Sequence, residues 1–282
     1  MQSMRGIGLA LVGLVVITLA GLAAGGVVSA QENLTYTVTI ENLTSGQPFT
    51  PPVVVAHSDQ LDLFEMGQAA SEEVREIAEN GNSAPLVALV EGSADVFDSV
   101  ARDAPVMPGE SATFMIDAPA GSLLSVVSML ICTNDGFTGV DAWALPASGS
   151  LTVDSDAYDA GSEMNTEDFA DIVPPCQGLI GVMSDDEGTG MSNPALAEGG
   201  VITMHAGIQG GDDLTVADHG WTGPVARITV SAAEAPADLP TTGTGPADAD
   251  GSGTWLIYLA IGGAALVLFG GTTLAARRRM TR

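Results

Sequence analysis

Apolar and polar residues alternate in short stretches along the middle of this chain. Tyr36–Ile40 (YTVTI), Ser111–Ala118 (SATFMIDA), Ser150–Asp154 (SLTVD), Val201–Ala206 (VITMHA) and Val225–Val230 (VARITV) read as strands, as do the β-branched and apolar runs Pro52–Ala56 (PVVVA) and Leu123–Leu130 (LLSVVSML). Clusters of Gly, Pro, Asn and Asp separate them, the pattern of an antiparallel β-sandwich rather than of βαβ units. One helix is predicted from Ser71 (SEEVREIAENG). Ser71 can cap it, its first turn is acidic, Val74, Ile77 and Ala78 share a face, and Asn80-Gly81 can close it. A second short helix is predicted over Ser93–Ala101 (SADVFDSVA). The expected class is all-β with one or two short helices, in a single domain over residues 31–235.

Both ends read as addressing. Residues 1–30 hold Arg5, a long apolar run and small residues ending in VSA, the layout of a secretory signal peptide. An uncleaved membrane anchor is the alternative reading. Residues 236–254 form a linker of Pro, Gly, Ala and Asp carrying Leu239, Pro240, Thr241, Thr242 and Gly243 (LPTTG). Residues 255–276 are apolar and, at about 33 Å as a helix, long enough to span a bilayer. Residues 277–282 supply Arg277, Arg278, Arg279 and Arg282, which predicts a cytoplasmic end. Motif, span and basic tail in that order resemble the cell-wall sorting signal read by bacterial sortases, which implies attachment to the cell wall between Thr242 and Gly243. The alternative is a plain C-terminal membrane anchor.

Charge narrows the partners. The chain has no Lys, and over residues 31–254 only Arg75, Arg102 and Arg227 face all 35 acids, a formal net charge of −32. Such a surface repels phosphate backbones and anionic membranes, which argues against nucleic acid. It leaves neutral glycans, cationic polymers, or anions bridged through a metal. Without Lys there can be no Lys–Asn isopeptide crosslink and no Lys-based polymerisation, so a displayed monomer is expected. Cys132 and Cys176 are the only cysteines. Export to an oxidising space makes a disulfide between them the expectation, worth about 3–4 kcal/mol.

No GxSxG, HExxH or Walker loop occurs. His57 is expected in a loop, His205 on a strand face, and His219 elsewhere. The acidic turns carry more information. NDGFTGVD (Asn134–Asp141) follows a strand, and YDAGSEMN (Tyr158–Asn165) follows another after a short spacer. Asp135, Asp159 and Glu163 could supply a hard cation such as Ca²⁺ with several of its six to eight oxygens. The bland reading is that these acids only solvate turns and cap backbone N–H groups.

The blocks FTPPVVVAHS, DLFEMGQAAS, NDGFTGVD, YDAGSEMN and GPVARITV, in that order, resemble the spondin N-terminal domain over Asn33–Ser231. The resemblance implies a C2-like sandwich that binds calcium near one end and acts in adhesion or surface recognition. Carried onto matching positions, it assigns metal binding to Asp135, Asp159 and Glu163; Asp141 is the weaker candidate, because strand alternation through VDAW is expected to turn it outward. The chain departs from the animal pattern, which has an aromatic directly after the Asp of NDGF, and it lacks thrombospondin repeats. The expected function is therefore a non-catalytic, surface-anchored, calcium-binding adhesion module whose extracellular ligand is a glycan or surface protein. Two alternatives stay open: an exported carbohydrate-active or other hydrolase on the same scaffold, and an acidic surface protein without a specific ligand.

Overall fold

The computed structural model describes residues 33–233. In chain order these form β1 (Asn33–Asn42), β2 (Val53–His57), α1 (Glu72–Asn80), α2 (Ala84–Glu91), β3 (Val96–Ala101), β4 (Ser111–Pro119), β5 (Leu123–Met129), β6 (Gly136–Ala144), β7 (Ser150–Ser155), β8 (Ala157–Asp159), α3 (Pro175–Ile180), β9 (Thr203–Met204), α4 (Val216–His219) and β10 (Ala226–Ala232), with a single 3₁₀ turn at Phe169–Asp171. The signal peptide, LPTTG motif, membrane span and basic tail expected from the sequence lie outside the described residues. Among the described residues, no helix is long and apolar enough to cross a membrane.

Two antiparallel sheets carry the fold. One has strand order β4-β1-β10-β7 and the other β3-β2-β5-β6-β8-β9. The first shows the expected alternation directly. Tyr36, Val38 and Ile40 of β1 point inward beside Phe114 and Ile116 of β4 and Ile228 and Val230 of β10, all buried. Thr37 and Thr113 point outward with Thr152 and Thr229 nearby on β7 and β10, linked in part by hydroxyl contacts such as Thr152–Thr229 at 3.0 Å.

The second sheet is covered on both sides. Val54, Ala56, Leu124 and Val126 pack into the space between the sheets. Val53, Val55, Val127 and Met129, on the opposite face, pack against Val74 and Ile77 of α1 and Leu86 and Val90 of α2, and against Phe169, Ile172 and Ile202. A strand buried on both faces has no polar side to show, which is why β2 and β5 read as continuous apolar runs. The sandwich thus carries a third layer of helices and irregular chain.

The helix at Ser71 forms as expected. Ser71 Oγ accepts from Val74 N at 3.2 Å, and Gly81 ends the helix in the left-handed conformation. The helix expected over Ser93–Ala101 is instead β3. Its valines pair with β2, Val100 opposite Val54 and Val96 opposite His57, and that tertiary pairing overrides a weak local helical pattern. A helix does precede it, at Ala84–Glu91, hidden in the sequence by an almost uniformly apolar stretch. The strand expected at Val201–Ala206 shrinks to Thr203–Met204, paired with β8. β6 takes up the last six residues of NDGFTGVD, which is strand and not loop from Gly136 onward. Gly139 permits this, because a Cβ there would sit 1.8 Å from the Val126 carbonyl oxygen.

Candidate functional site

The turn between β5 and β6 is built by Thr133. Its Oγ1 donates to the Leu130 carbonyl at 2.7 Å and accepts from Gly136 N at 2.9 Å. A Cβ on residue 136 would lie 2.5 Å from that same oxygen, so glycine is required there. Cys132, in the same turn, is disulfide-bonded to Cys176 at the start of α3, with Cα atoms 5.1 Å apart. The expected bridge is present, and it fastens this end of the sheet to the third layer.

Asp135 closes the turn with its side chain fully buried. Strand pairing brings it to the second acidic loop, since Gly136 lies opposite Asp159. Asp135 Oδ2 accepts from Ser162 N at 2.7 Å, Ser162 Oγ at 3.1 Å and Glu163 N at 3.0 Å. Its carbonyl accepts from Ala160 N at 3.1 Å. The adjacent Asn134 repeats the device, accepting from Thr166 N at 3.1 Å. Asp135 Oδ1, equally buried, has no hydrogen-bond partner. Burial, and next the negative charge of Asp159, push the Asp135 carboxyl up to about 6 against the opposing pull of its donors.

Asp159 accepts from Gly161 N at 2.8 Å through Oδ1 and from Asn165 Nδ2 at 2.6 Å through Oδ2. Glu163 is 4 % exposed and accepts from Asn193 N. Burial is the main cause that lifts its carboxyl to about 7, and Glu79, Asp135 and Asp171 add to it. Glu163 and Glu79 line one cavity of about 360 Å³ with Arg75 and Ser192. Glu79 accepts from Ser192 Oγ and lies 3.9 Å from the Arg75 guanidinium.

The two loops named by the sequence therefore meet, and Asp135 is what joins them. Much of their carboxylate capacity is taken by donors of the protein itself, as the bland reading anticipated. Asp135 Oδ1 is the exception. That oxygen lies buried near Asp159 and Glu163, but the three predicted ligands do not form a close group of acid oxygens; among the described residues the group that does is a different one.

The structure also gathers acids that no sequence motif points to. Single carboxylate oxygens of Asp168, Asp186 and Asp213 lie within 4.8 Å of one another. Asp168 accepts from Ala170 N and Asp213 from Phe169 N. Asp186 is exposed, with its carboxyl raised by desolvation and then by the surrounding aspartates. These three come from separate runs of the chain, so no local spacing announces them.

His57 is not in a loop. It ends β2, fully buried, with Nδ1 2.7 Å from the Ser58 carbonyl and Nε2 2.7 Å from Ser125 Oγ. Ser125 Oγ also donates to Asp141 Oδ1 at 2.6 Å and accepts from Ala142 N at 2.9 Å. Serine, histidine and aspartate thus meet, but the carboxylate holds the serine and not the imidazole. In a nucleophilic triad the acid orients the base. Here the network braces β2, β5 and β6. His205 packs on Trp221 with ring centroids 5.2 Å apart, and His219 is buried at the end of α4.

Residues 41–168 match the family model Spondin_N. The match opens in β1 and takes in both acidic loops, including Asp135, Asp159 and Glu163, and it ends at Asp168. No curated protein matches the chain.

Proposed function

We propose that this protein is an extracellular recognition or adhesion module of the spondin N-terminal type. Calcium held at Asp135, Asp159 and Glu163 stiffens the loop end of its sandwich, and the C-terminal sorting sequence fixes it to the cell surface. The reading rests on one observation. The stretch matching the spondin family contains the turn whose buried Asp135 reaches across to the second loop and keeps one oxygen without a partner. Calcium would be held by that oxygen together with Asp159, Glu163 and nearby carbonyls, and its chemistry there is electrostatic bracing. Affinity in the weak extracellular range, about 10⁻⁴–10⁻³ M, fits so few free oxygens. Thermal unfolding of the exported chain with calcium and with chelator tests it. Melting temperature should rise with calcium, and the rise should vanish in Asp135→Asn, Asp159→Asn. A rise that survives both changes moves the ion elsewhere, with Asp168, Asp186 and Asp213 as the next place to mutate.

One feature favours a second reading, a hydrolase. Glu79 and Glu163 face a shared cavity, and Glu163 is raised to about 7, as a general acid requires. Glu79 is tied to Ser192 and Arg75, which suits a structural carboxylate better. Turnover of chromogenic glycosides that is lost in Glu79→Gln would reverse this preference.

A further inference from the structure

A different recess lies over β6 and β8, and none of the proposed calcium ligands lines it. It has a volume of about 560 Å³ and is lined by three aromatic rings, Phe64, Trp143 and Tyr158, by three acids, Asp62, Glu65 and Asp141, and by Met66 and Val140. No basic side chain lines it. Of the three arginines among the described residues, Arg75 lines another cavity, Arg102 is exposed just past β3, and Arg227 is paired with Asp154 at 2.7 Å on the four-stranded sheet.

The walls are held in place. The Phe64 and Tyr158 ring centroids are 5.5 Å apart with planes inclined by 52°, so the rings form a corner. Phe137 braces Phe64 from behind at 5.1 Å, edge to face. Asp141 and Trp143 flank Ala142, whose φ of 49° is positive for a residue that is not glycine. The Ala142 N–H bond to Ser125 Oγ and the shift in β5–β6 register between Leu124 and Val126 hold that kink. Asp141 is fixed through Oδ1 by Leu63 N at 3.0 Å and by Ser125 Oγ. Backbone held in a sparsely populated region beside a lined recess is where strain is kept for a purpose.

We propose that this recess binds an alkylated ammonium group, such as a quaternary or methylated amine carried by a small molecule or polymer. Aromatic faces attract cations, and weakly hydrated alkylated ones most readily, because their methyl groups pack on the rings while surrounding carboxylates balance the charge. A hard metal ion fits poorly: it needs converging oxygens, and five of the eight lining residues, Phe64, Met66, Val140, Trp143 and Tyr158, are aromatic or apolar. A sugar could stack on Trp143 but would leave the acids without a counter-charge.

Calorimetric titration of the exported chain with tetramethylammonium and choline is the test. The controls are 3,3-dimethylbutan-1-ol, the uncharged carbon analogue of choline, and methyl glucoside. Choline should bind, and the carbon analogue should bind at least about tenfold more weakly. Asp62→Asn, Glu65→Gln alters exposed side chains, should leave the melting temperature unchanged, and should weaken choline by a similar factor. Trp143→Ala should abolish binding and Trp143→Phe should restore part of it. Binding should be the same with chelator as with calcium, which separates this site from the metal site. Equal binding of choline and its carbon analogue, binding of methyl glucoside in place of choline, or no binding of choline would each overturn the proposal.

Discussion

Asp135 and Asp186 are the same residue in opposite settings. Asp135 is enclosed by the turn it closes, receives three donors on one oxygen, and joins two loops that are distant in sequence. Asp186 stands in solvent beside Asp168 and Asp213, where oxygens cluster without enclosing anything. Removing water makes a charge expensive and makes each donor to it valuable, whereas exposed charges are screened and replaceable. In a chain with 35 acids, carboxylate density says little about which acid matters. Enclosure says more.

The contrast breaks most severely at the disulfide that encloses the Asp135 turn. Replacing both Cys132 and Cys176 by Ser should destabilise the protein by about 4 kcal/mol, given a sequence separation of 44. Hydrogen exchange should show the loss at the Asp135 turn and α3 before it reaches β1 and β10. Protection falling equally in both sheets would mean that the bridge does not act locally.

Asp135→Ala should come next, at about 2–3 kcal/mol by denaturant unfolding in chelator. Ser162 N and Glu163 N would be left buried without their acceptor. Asp135→Asn keeps a carbonyl oxygen in place and should be much milder. Equal losses in the two variants would show that the charge, and not the accepted bonds, holds the loops together.

Acidity gives a smaller effect. Asp135 and Glu163 have carboxyls raised to about 6 and about 7, above the value near 4 of an unfolded chain. Between those values the folded protein keeps protons that the unfolded chain releases. Stability of the calcium-free protein should therefore fall as pH rises from about 4 to about 7. Thermal melts across that range should slope downward, and Asp135→Asn with Glu163→Gln should flatten the slope. Asp186→Asn is the smallest case: its melting temperature should match that of the parent in chelator, and a clear change would show that the exposed trio is more than a solvated surface.

Much of the architecture is legible in the sequence because it rests on local rules. The alternation at Tyr36–Ile40 and the cap at Ser71 each declare one element, and both hold. β6 is obscured by Gly136 and Gly139, whose roles lie in close approach to Thr133 and Val126 and not in any local pattern. β3 reads as helix because its strand character comes from pairing with β2. At the site, both acidic loops stand out in the sequence. That Asp135 acts as acceptor for the second loop does not, because backbone donors leave no trace in side-chain identity. Glu79 is hidden as well, reaching the Glu163 cavity from a helix far earlier in the chain.

The position of β10 has a consequence for how the molecule comes together. It lies between β1 and β7, so the first of the described strands must wait for the last of them before its sheet can zip shut. As the chain is made from its N-terminus, β1 has only β4 beside it until residues 226–232 emerge, and its other edge stays open to any passing strand. A chain cut short before Ala226 would keep both acidic loops and the bridge yet present two raw borders, and it should stick to its own kind instead of persisting as a smaller soluble body.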